Sequence, residues 1–298
     1  MKTAAKILVF ILIMTALCGC RGKSGMPGGD GGAKNNKEPR YVSMVPSTTE
    51  ILFELGEGHR VVGVCDQCLW PEPAAGLTKL GSYLNPSTEM MLKLKPDIAF
   101  LYKTQSHLVT ALEERGIQVV RVRTENLEDL YKTIGAIGQA TGRSERAAAM
   151  IDTIKAQLEK IAEATASGSG RVKTVVVADR MPFSLQRIFV ATDENYLGQL
   201  VDIAGGDNCF EEMKVWYPMV AFEAIAACRP EVIIDLRPAT QCTDEGIEKA
   251  EALWKASGIV YPEGTAKIIK VLGTDPVTVP GPRVVESANI FYGIIHGE

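Results

Sequence analysis

Two α/β lobes with parallel-type, Rossmann-like sheets, joined by one long rigid helix and separated by a ligand cleft, are what this 298-residue chain predicts. Three observations lead there. The first is a repeated module. Glu89 to Ile98 and Glu223 to Val232, 134 positions apart, share one order: a glutamate, six largely apolar or basic residues, a proline, an acid, then a β-prone run. Each reads as a short helix stopped by proline, whose ring disfavours α geometry in the preceding residue. The second is strand–helix alternation in both halves. The third is one stretch of sustained helical period between them.

In chain order, Tyr41–Val45 is apolar and β-prone. Ser47, Thr48, Thr49 and Glu50 form a capping-box signature for a helix with Ile51, Leu52 and Leu55 on its apolar face, ending at Gly56. Val61–Val64 is a second strand, and Asn85-Pro86 opens the helix that carries Glu89. Ile98–Leu101 follows as a strand, a helix through Leu108–Arg115 stops at Gly116, and Val119–Val122 is a fourth strand. This βαβα order favours parallel sheet with covering helices. From Ser144 to about Thr165, Met150, Ile151, Ile154, Leu158 and Ile161 recur at helical spacing against Lys, Glu and Gln. Ser167-Gly168-Ser169-Gly170 ends that helix, and Val172–Ala178 begins a second α/β run. Strand 188–191, helix 194–204, the Glu223 helix, strand 232–236, helix 243–257, strand 267–272 and a terminal helix from about Val284 continue it.

The N-terminal residues set the compartment. Lys2 and Lys6 precede an apolar run, Ile7 to Leu17, that suits a signal-peptide core better than a bilayer span. It ends in Leu17-Cys18-Gly19-Cys20, which resembles a bacterial lipobox and implies removal of residues 1–19 and lipidation of Cys20. Residues 20–39 are rich in Gly, Lys, Asn and Pro and read as a flexible tether, because they hold too little apolar surface to offset chain entropy. The expected division is then a first lobe over 40–141, a linking helix over 142–168 and a second lobe over 169–298. The predicted location is the cell envelope, anchored by lipid to a membrane and facing the periplasm or exterior.

A formal net charge of −4 and the lack of a basic stripe argue against a nucleic-acid partner. Setting Cys18 and Cys20 aside leaves Cys65, Cys68, Cys209, Cys228 and Cys242, an odd number, so at least one is unpaired. Outside the cytoplasm a Cys65–Cys68 or a Cys209–Cys242 bridge is open, and sequence does not choose the connectivity. Cys65-Asp66-Gln67-Cys68 also has redox-motif spacing, which makes a thiol–disulfide oxidoreductase the main enzyme alternative. Against it, Pro71 and Pro73 follow too soon for a helix that would activate the first thiol. Only His59, His107 and His296 are available as imidazoles, and no metal-ligand spacing is present.

Several longer stretches carry a resemblance. Val42 to Leu52, Val61 to Val64, Gly81 to Glu89 and Leu94 to Asp97 resemble the first lobe of helical-backbone (class III) periplasmic solute-binding proteins. These proteins serve ABC importers of cobalamin, iron–siderophores and haem. Leu197 to Asn208, Tyr217-Pro218 to Glu223, and Val279-Pro280-Gly281-Pro282-Arg283 are similar to their second lobe. The resemblance implies a lipoprotein that catalyses nothing, needs no cofactor, and delivers a bulky metal chelate, a corrinoid first of all, to a permease dimer with its ATPase. It further implies that Glu89 and Glu223 dock the two lobes onto basic sockets of the permease. Two weak contacts at a set spacing then act as one through effective concentration.

The ligand is expected between the lobes, outside the carboxyl ends of the strands. Candidate contacts just past strand ends are Trp70, Tyr83 and Tyr102 from the first lobe, and Arg180, Phe183, Trp216, Tyr217 and Arg237 from the second. Flat aromatics suit the face of a macrocycle, and the arginines suit carboxylates or catecholates.

Overall fold

Strands covered on both faces become near-continuous apolar runs, and the central strands of this chain are built that way. In the first half, β1 (Tyr41–Ser43) leads into α1 (Pro46–Glu54), and β2 (Val61–Val64) into the one-turn α2 (Glu72–Ala75). Next come β3 (Thr78–Lys79), the short pair β4 (Gly81–Ser82) and β5 (Asn85–Pro86), and α3 (Thr88–Lys93). The half closes with β6 (Ile98–Tyr102), α4 (Ser106–Glu113), β7 (Gln118–Val122) and α5 (Leu127–Thr141). Five strands lie in the order β3-β2-β1-β6-β7, all parallel. This is a computed structural model, and it describes residues 37–82, 84–166, 170–238, 241–259, 266–273 and 275–297. The leader, Cys20, most of the tether, Tyr83 and the Ser167–Ser169 stretch lie outside the described residues.

α6 (Ser144–Ala166) runs for 23 residues, or about 34 Å at 1.5 Å per residue. Ala147, Ile154 and Leu158 are its buried positions, a narrow stripe at near-heptad spacing that leaves the opposite face to solvent. At its start it meets α5 closely, since a Cβ on Gly138 would collide with the Ala147 Cβ.

The second half holds β8 (Val172–Asp179), β9 (Ile188–Val190), α7 (Tyr196–Ile203) and β10 (Gly206–Asn208). β11 (Met219–Val220), α8 (Phe222–Cys228), β12 (Val232–Leu236), α9 (Asp244–Ala256), β13 (Ile268–Leu272) and α10 (Val284–His296) complete it. The sheet order is β11-β9-β8-β12-β13, with β10 also on β8. β8, β10, β12 and β13 are parallel; at one edge β9 runs antiparallel to β8, and β11, antiparallel to β9, returns to the direction of β8. One apolar core runs from Tyr41, Leu52 and Phe100 through Ile137, Ile154 and Leu158 to Leu200, Val284 and Phe291. Both sheets therefore lean on a single packed body through α5, α6, α7 and α10. A smaller cluster around Trp254 fills the space between the second sheet and α9.

The structure corrects two local expectations and adds two points that the sequence left open or unassigned. The Ser47–Glu50 capping box does not form: α1 starts at Pro46, Val45 is its cap without a side-chain bond, and Glu50 is drawn to Arg283 instead. Asn85-Pro86 is a strand, and Ser87 caps the helix by accepting from the Met90 N–H. α5 is a further amphipathic helix that the sequence reading did not assign; Asn126 caps it, and Leu130, Ile134 and Ile137 are buried. Cys209 pairs with Cys228, not Cys242, because the end of β10 meets the end of α8 with Cα atoms 5.9 Å apart. Cys65, Cys68 and Cys242 are free.

Candidate functional site, a cleft between the two sheets

Parallel strands deliver their carboxyl ends to one edge of a sheet, and here both sheets present that edge to a common cavity of about 860 Å³. The first sheet contributes Met44, Val45 and Pro46 after β1, Gln67, Leu69 and Trp70 after β2, Tyr102 at the end of β6, and Thr124 and Glu125 after β7. From the second come Ala178 and Asp179 of β8, Phe189 of β9 and Leu236 of β12, joined by Tyr217 and the Asp275–Arg283 segment. The size falls within the range of small-molecule pockets, and the lining is mostly apolar with a few convergent polar groups.

Arg283 is the cation among the residues that line the cavity. Its guanidinium donates to both Glu50 oxygens, at 2.5 and 3.2 Å, pairs with Asp275, and lies over the Trp70 ring at 5.0 Å. Gly281 permits the approach, since a Cβ there would stand 3.0 Å from Glu50 Oε2. Burial raises the Glu50 carboxyl above its ordinary range, against the pull of Arg283. For Arg283 burial opposes the charge, but the bonds to Glu50 and Asp275 outweigh it and hold the guanidinium ionised.

A second polar cluster sits at the rim, around Glu125. Tyr102 donates to Glu125 at 2.8 Å, and Lys103 and Arg123 pair with the same carboxylate at 2.5 and 3.0 Å. Burial works against ionising Glu125, yet those donors prevail and hold its pKa down to about 2. Burial and the adjacent Glu125 charge push the Tyr102 phenol up, and burial then Glu125 do the same to Tyr217. Trp216 reaches over from the second half, with Lys103 Nζ 4.2 Å and Arg123 5.8 Å from its ring. Backbone bonds tie the same rim: the Tyr196 N–H donates to the Glu125 carbonyl, and the Leu127 N–H to Gln199 Oε1, both at 2.9 Å.

The residues named from sequence divide three ways. Trp70, Tyr102 and Tyr217 line the cavity, and Trp216, exposed, lies outside the lining and meets Lys103 and Arg123 next to it. Tyr83 lies outside the described residues. Arg180, Arg237 and Phe183 do not reach the cavity. Asp179 and Leu236 face it, and the next residue along each strand end turns to the other side. There Arg180 and Arg237, 3 % and 2 % exposed, gather round the buried Asp235. Arg180 donates to one oxygen of that carboxylate at 2.6 and 3.0 Å, and Trp254 Nε1 donates to it at 3.0 Å. Phe183 is exposed beside them. Sequence reasoning missed Glu50, Glu125, Lys103 and Arg123, and assigned no role to Arg283. An acid on the apolar side of α1 was the available signal for Glu50.

Glu89 and Glu223 are both exposed and both occupy the second position of their helices, α3 and α8. Glu89 pairs with Lys93 at 2.8 Å. Cys65 and Cys68 face each other with Sγ atoms 3.0 Å apart, but both are fully buried beneath the cavity loop, out of reach of a protein substrate. Their hydrogen bond and burial push Cys65 up, whereas the bond from Cys65 holds Cys68 down. His59 and His107 lie on the surface and His296 bonds the Ala204 carbonyl at 3.0 Å. Among the described residues no group of three His, Cys, Asp or Glu gathers to hold a metal. No helix of the described residues is long and apolar enough to cross a membrane.

This two-sheet cleft on a helical backbone is the architecture of solute-binding proteins. Residues 42–255 match the periplasmic binding protein family, and the chain belongs to it. An uncharacterized ABC transporter substrate-binding lipoprotein of Bacillus subtilis, YvrC, is 29 % identical over 259 residues, covering 84 % of this chain and 78 % of the relative. The vitamin B12-binding protein of Vibrio campbellii is 25 % identical over 212 residues, 70 % of this chain and 75 % of that protein. Among solved structures, a periplasmic heme-binding protein from Pseudomonas aeruginosa superposes with a TM-score of 0.73 at 22 % identity, covering 87 % of this chain and 93 % of the other. At that identity the likeness speaks for the fold.

Proposed function

We propose that this protein is the substrate-binding lipoprotein of an ABC importer, that its cargo is a bulky metal chelate, and that the cargo is a corrinoid. It hands the cargo to a permease dimer driven by an ATPase and transforms nothing itself. The observation that carries the reading is the cavity, about 860 Å³, with Trp70, Tyr102 and Tyr217 brought in from both halves and a single guanidinium, Arg283, in its lining. Flat rings suit the face of a macrocycle, and Arg283, Glu50 and Asp179 suit hydrogen-bonding groups at its edge. The phenols of Tyr102 and Tyr217 are pushed up and stay protonated, which makes them poor ligands to ferric iron and favours a chelate that brings its own axial groups. The names of the vitamin B12-binding relatives support the same choice.

Haem or an iron–siderophore is the second reading. Lys103 and Arg123 at the rim favour it, because they suit carboxylates. In this reading of the whole protein, Cys20 carries the lipid that holds the molecule to the envelope membrane, and Glu89 and Glu223 dock the two halves on the permease. The purified protein is mixed in turn with cyanocobalamin, haemin and a ferric siderophore, then freed of unbound ligand by gel filtration. Retention of the cobalamin spectrum is expected; retention of another chromophore transfers the assignment to it, and retention of none overturns the proposal.

A further inference from the structure

A second, smaller pocket of about 170 Å³ lies on the far side of the second sheet's strand ends. Arg180, Arg237, Thr243, Gly246 and Lys249 line it together with the Glu245 carboxylate, with Phe183 at its edge and the first turn of α9 as its wall.

The charges around it do not balance in the interior. Two guanidiniums, Arg180 and Arg237, are buried, and Asp235 is the carboxylate buried with them. Arg180 takes most of it, at 2.6 Å, while Arg237 Nη1 stands 3.9 Å away from Asp235 Oδ1. Arg237 spends Nη2 on the largely exposed Asp179 and on the Arg180 carbonyl. Its Nε and Nη1 have no hydrogen-bond partner although the side chain is 2 % exposed. Burial pulls the Arg237 pKa down, the direction expected of an under-compensated cation. A buried charge left short of partners is destabilising, and an oxyanion in the adjacent pocket would supply what is missing.

The wall adds to the attraction. α9 has 13 residues, so its N-terminus carries a full partial positive charge and unused N–H groups. Thr243 caps it, accepting from the Gly246 N–H at 3.2 Å. Lys249 is paired with Glu245 at 2.5 Å on the exposed rim, a pair weak enough for an incoming anion to break.

We propose that this pocket binds a small oxyanion of the phosphate or carboxylate class, held by Arg237 and Lys249 at the start of α9. The site is separate from the cleft and does not rest on the cargo assigned to it.

The test is a side-chain NMR titration of the arginine Nε–H groups in the purified protein, with inorganic phosphate, with acetate, and with chloride at matched ionic strength. The Arg237 signal, identified by its loss in Arg237→Lys, is expected to shift saturably with phosphate or acetate and to stay still with chloride. Lys249→Glu is expected to weaken that binding by about ten-fold. An Arg237 signal that does not move, or that moves equally with chloride, overturns the site. If Arg237→Lys does not fold, the wild-type titration and Lys249→Glu decide the matter alone. Displacement of bound phosphate by cyanocobalamin or haemin would make the pocket an arm of the cleft and overturn its independence.

Discussion

Lys95 and Arg229 hold the same left-handed backbone conformation, with φ of 47° and 59°, and each stands immediately before a proline. Each also lies six residues after an exposed glutamate, Glu89 or Glu223, at the second position of a short helix. The repeat read in the sequence is thus a repeat in conformation: short helix, left-handed residue, proline, then the central strand β6 or β12. Carboxylates at that helical position are favoured by the macrodipole, and the Glu89–Lys93 pair is too exposed to hold its carboxylate tightly. Reversing both charges, Glu89→Arg with Glu223→Arg, is expected to leave cargo affinity within about two-fold while uptake by cells collapses, since surface charges set register and encounter more than pocket affinity. Cargo titration and uptake assays on the double variant check this; lost affinity would place the glutamates in the wrong role.

The same two positions carry backbone strain. A non-glycine residue in the left-handed region costs about 1–2 kcal/mol, part of which glycine returns as chain entropy. Lys95→Gly and Arg229→Gly are each expected to stabilise the protein by roughly 0.5 kcal/mol, and a β-branched residue at either place to destabilise it. Urea unfolding midpoints read the difference.

Asp235 holds the Arg180, Arg237 and Trp254 group together. Asp235→Ala leaves two buried guanidiniums facing each other and is expected to lower stability by about 3–5 kcal/mol. Because none of the four lines the cleft, folded Asp235→Ala at low temperature should keep its cargo affinity.

Glu125 makes stability depend on pH. Its pKa falls from 4.5 to about 2 on folding, so its contribution is complete above about pH 4.5 and disappears as pH drops toward 2. That contribution is at most about 3 kcal/mol. Denaturation across the acid range is expected to show this slope in the native protein and to lose it in Glu125→Gln.

Within the cleft, Trp70→Ala and Tyr217→Ala are each expected to weaken cargo binding by about ten-fold, because these rings stand open to the cavity and are covered only when cargo binds. Arg180→Lys lies behind the wall and should leave it unchanged. Equilibrium titration with the retained chromophore distinguishes the two outcomes.

Periodicity and proline placement made the strand–helix alternation, the long α6 and both glutamate helices legible, because these depend on neighbours a few residues apart. Two aromatic cleft residues, Trp70 and Tyr102, were legible for a related reason, since the chain just past a parallel strand must enter the crevice; Tyr217, ahead of the Glu223 helix, was named through the family resemblance. Residue order alone determined, then, the α/β class, the two halves, the connecting helix and the matched glutamates. The side chosen by each strand-end side chain was left to tertiary structure. Arg180 and Arg237 sit one residue beyond Asp179 and Leu236, and a single step along an extended chain moves a side chain across the sheet. Tertiary packing also took Glu50 from its expected cap to Arg283, 233 residues away, and chose Cys228 as the partner of Cys209. Long-range partners of this kind are decided by which elements the shared core brings together, a quantity no local pattern records.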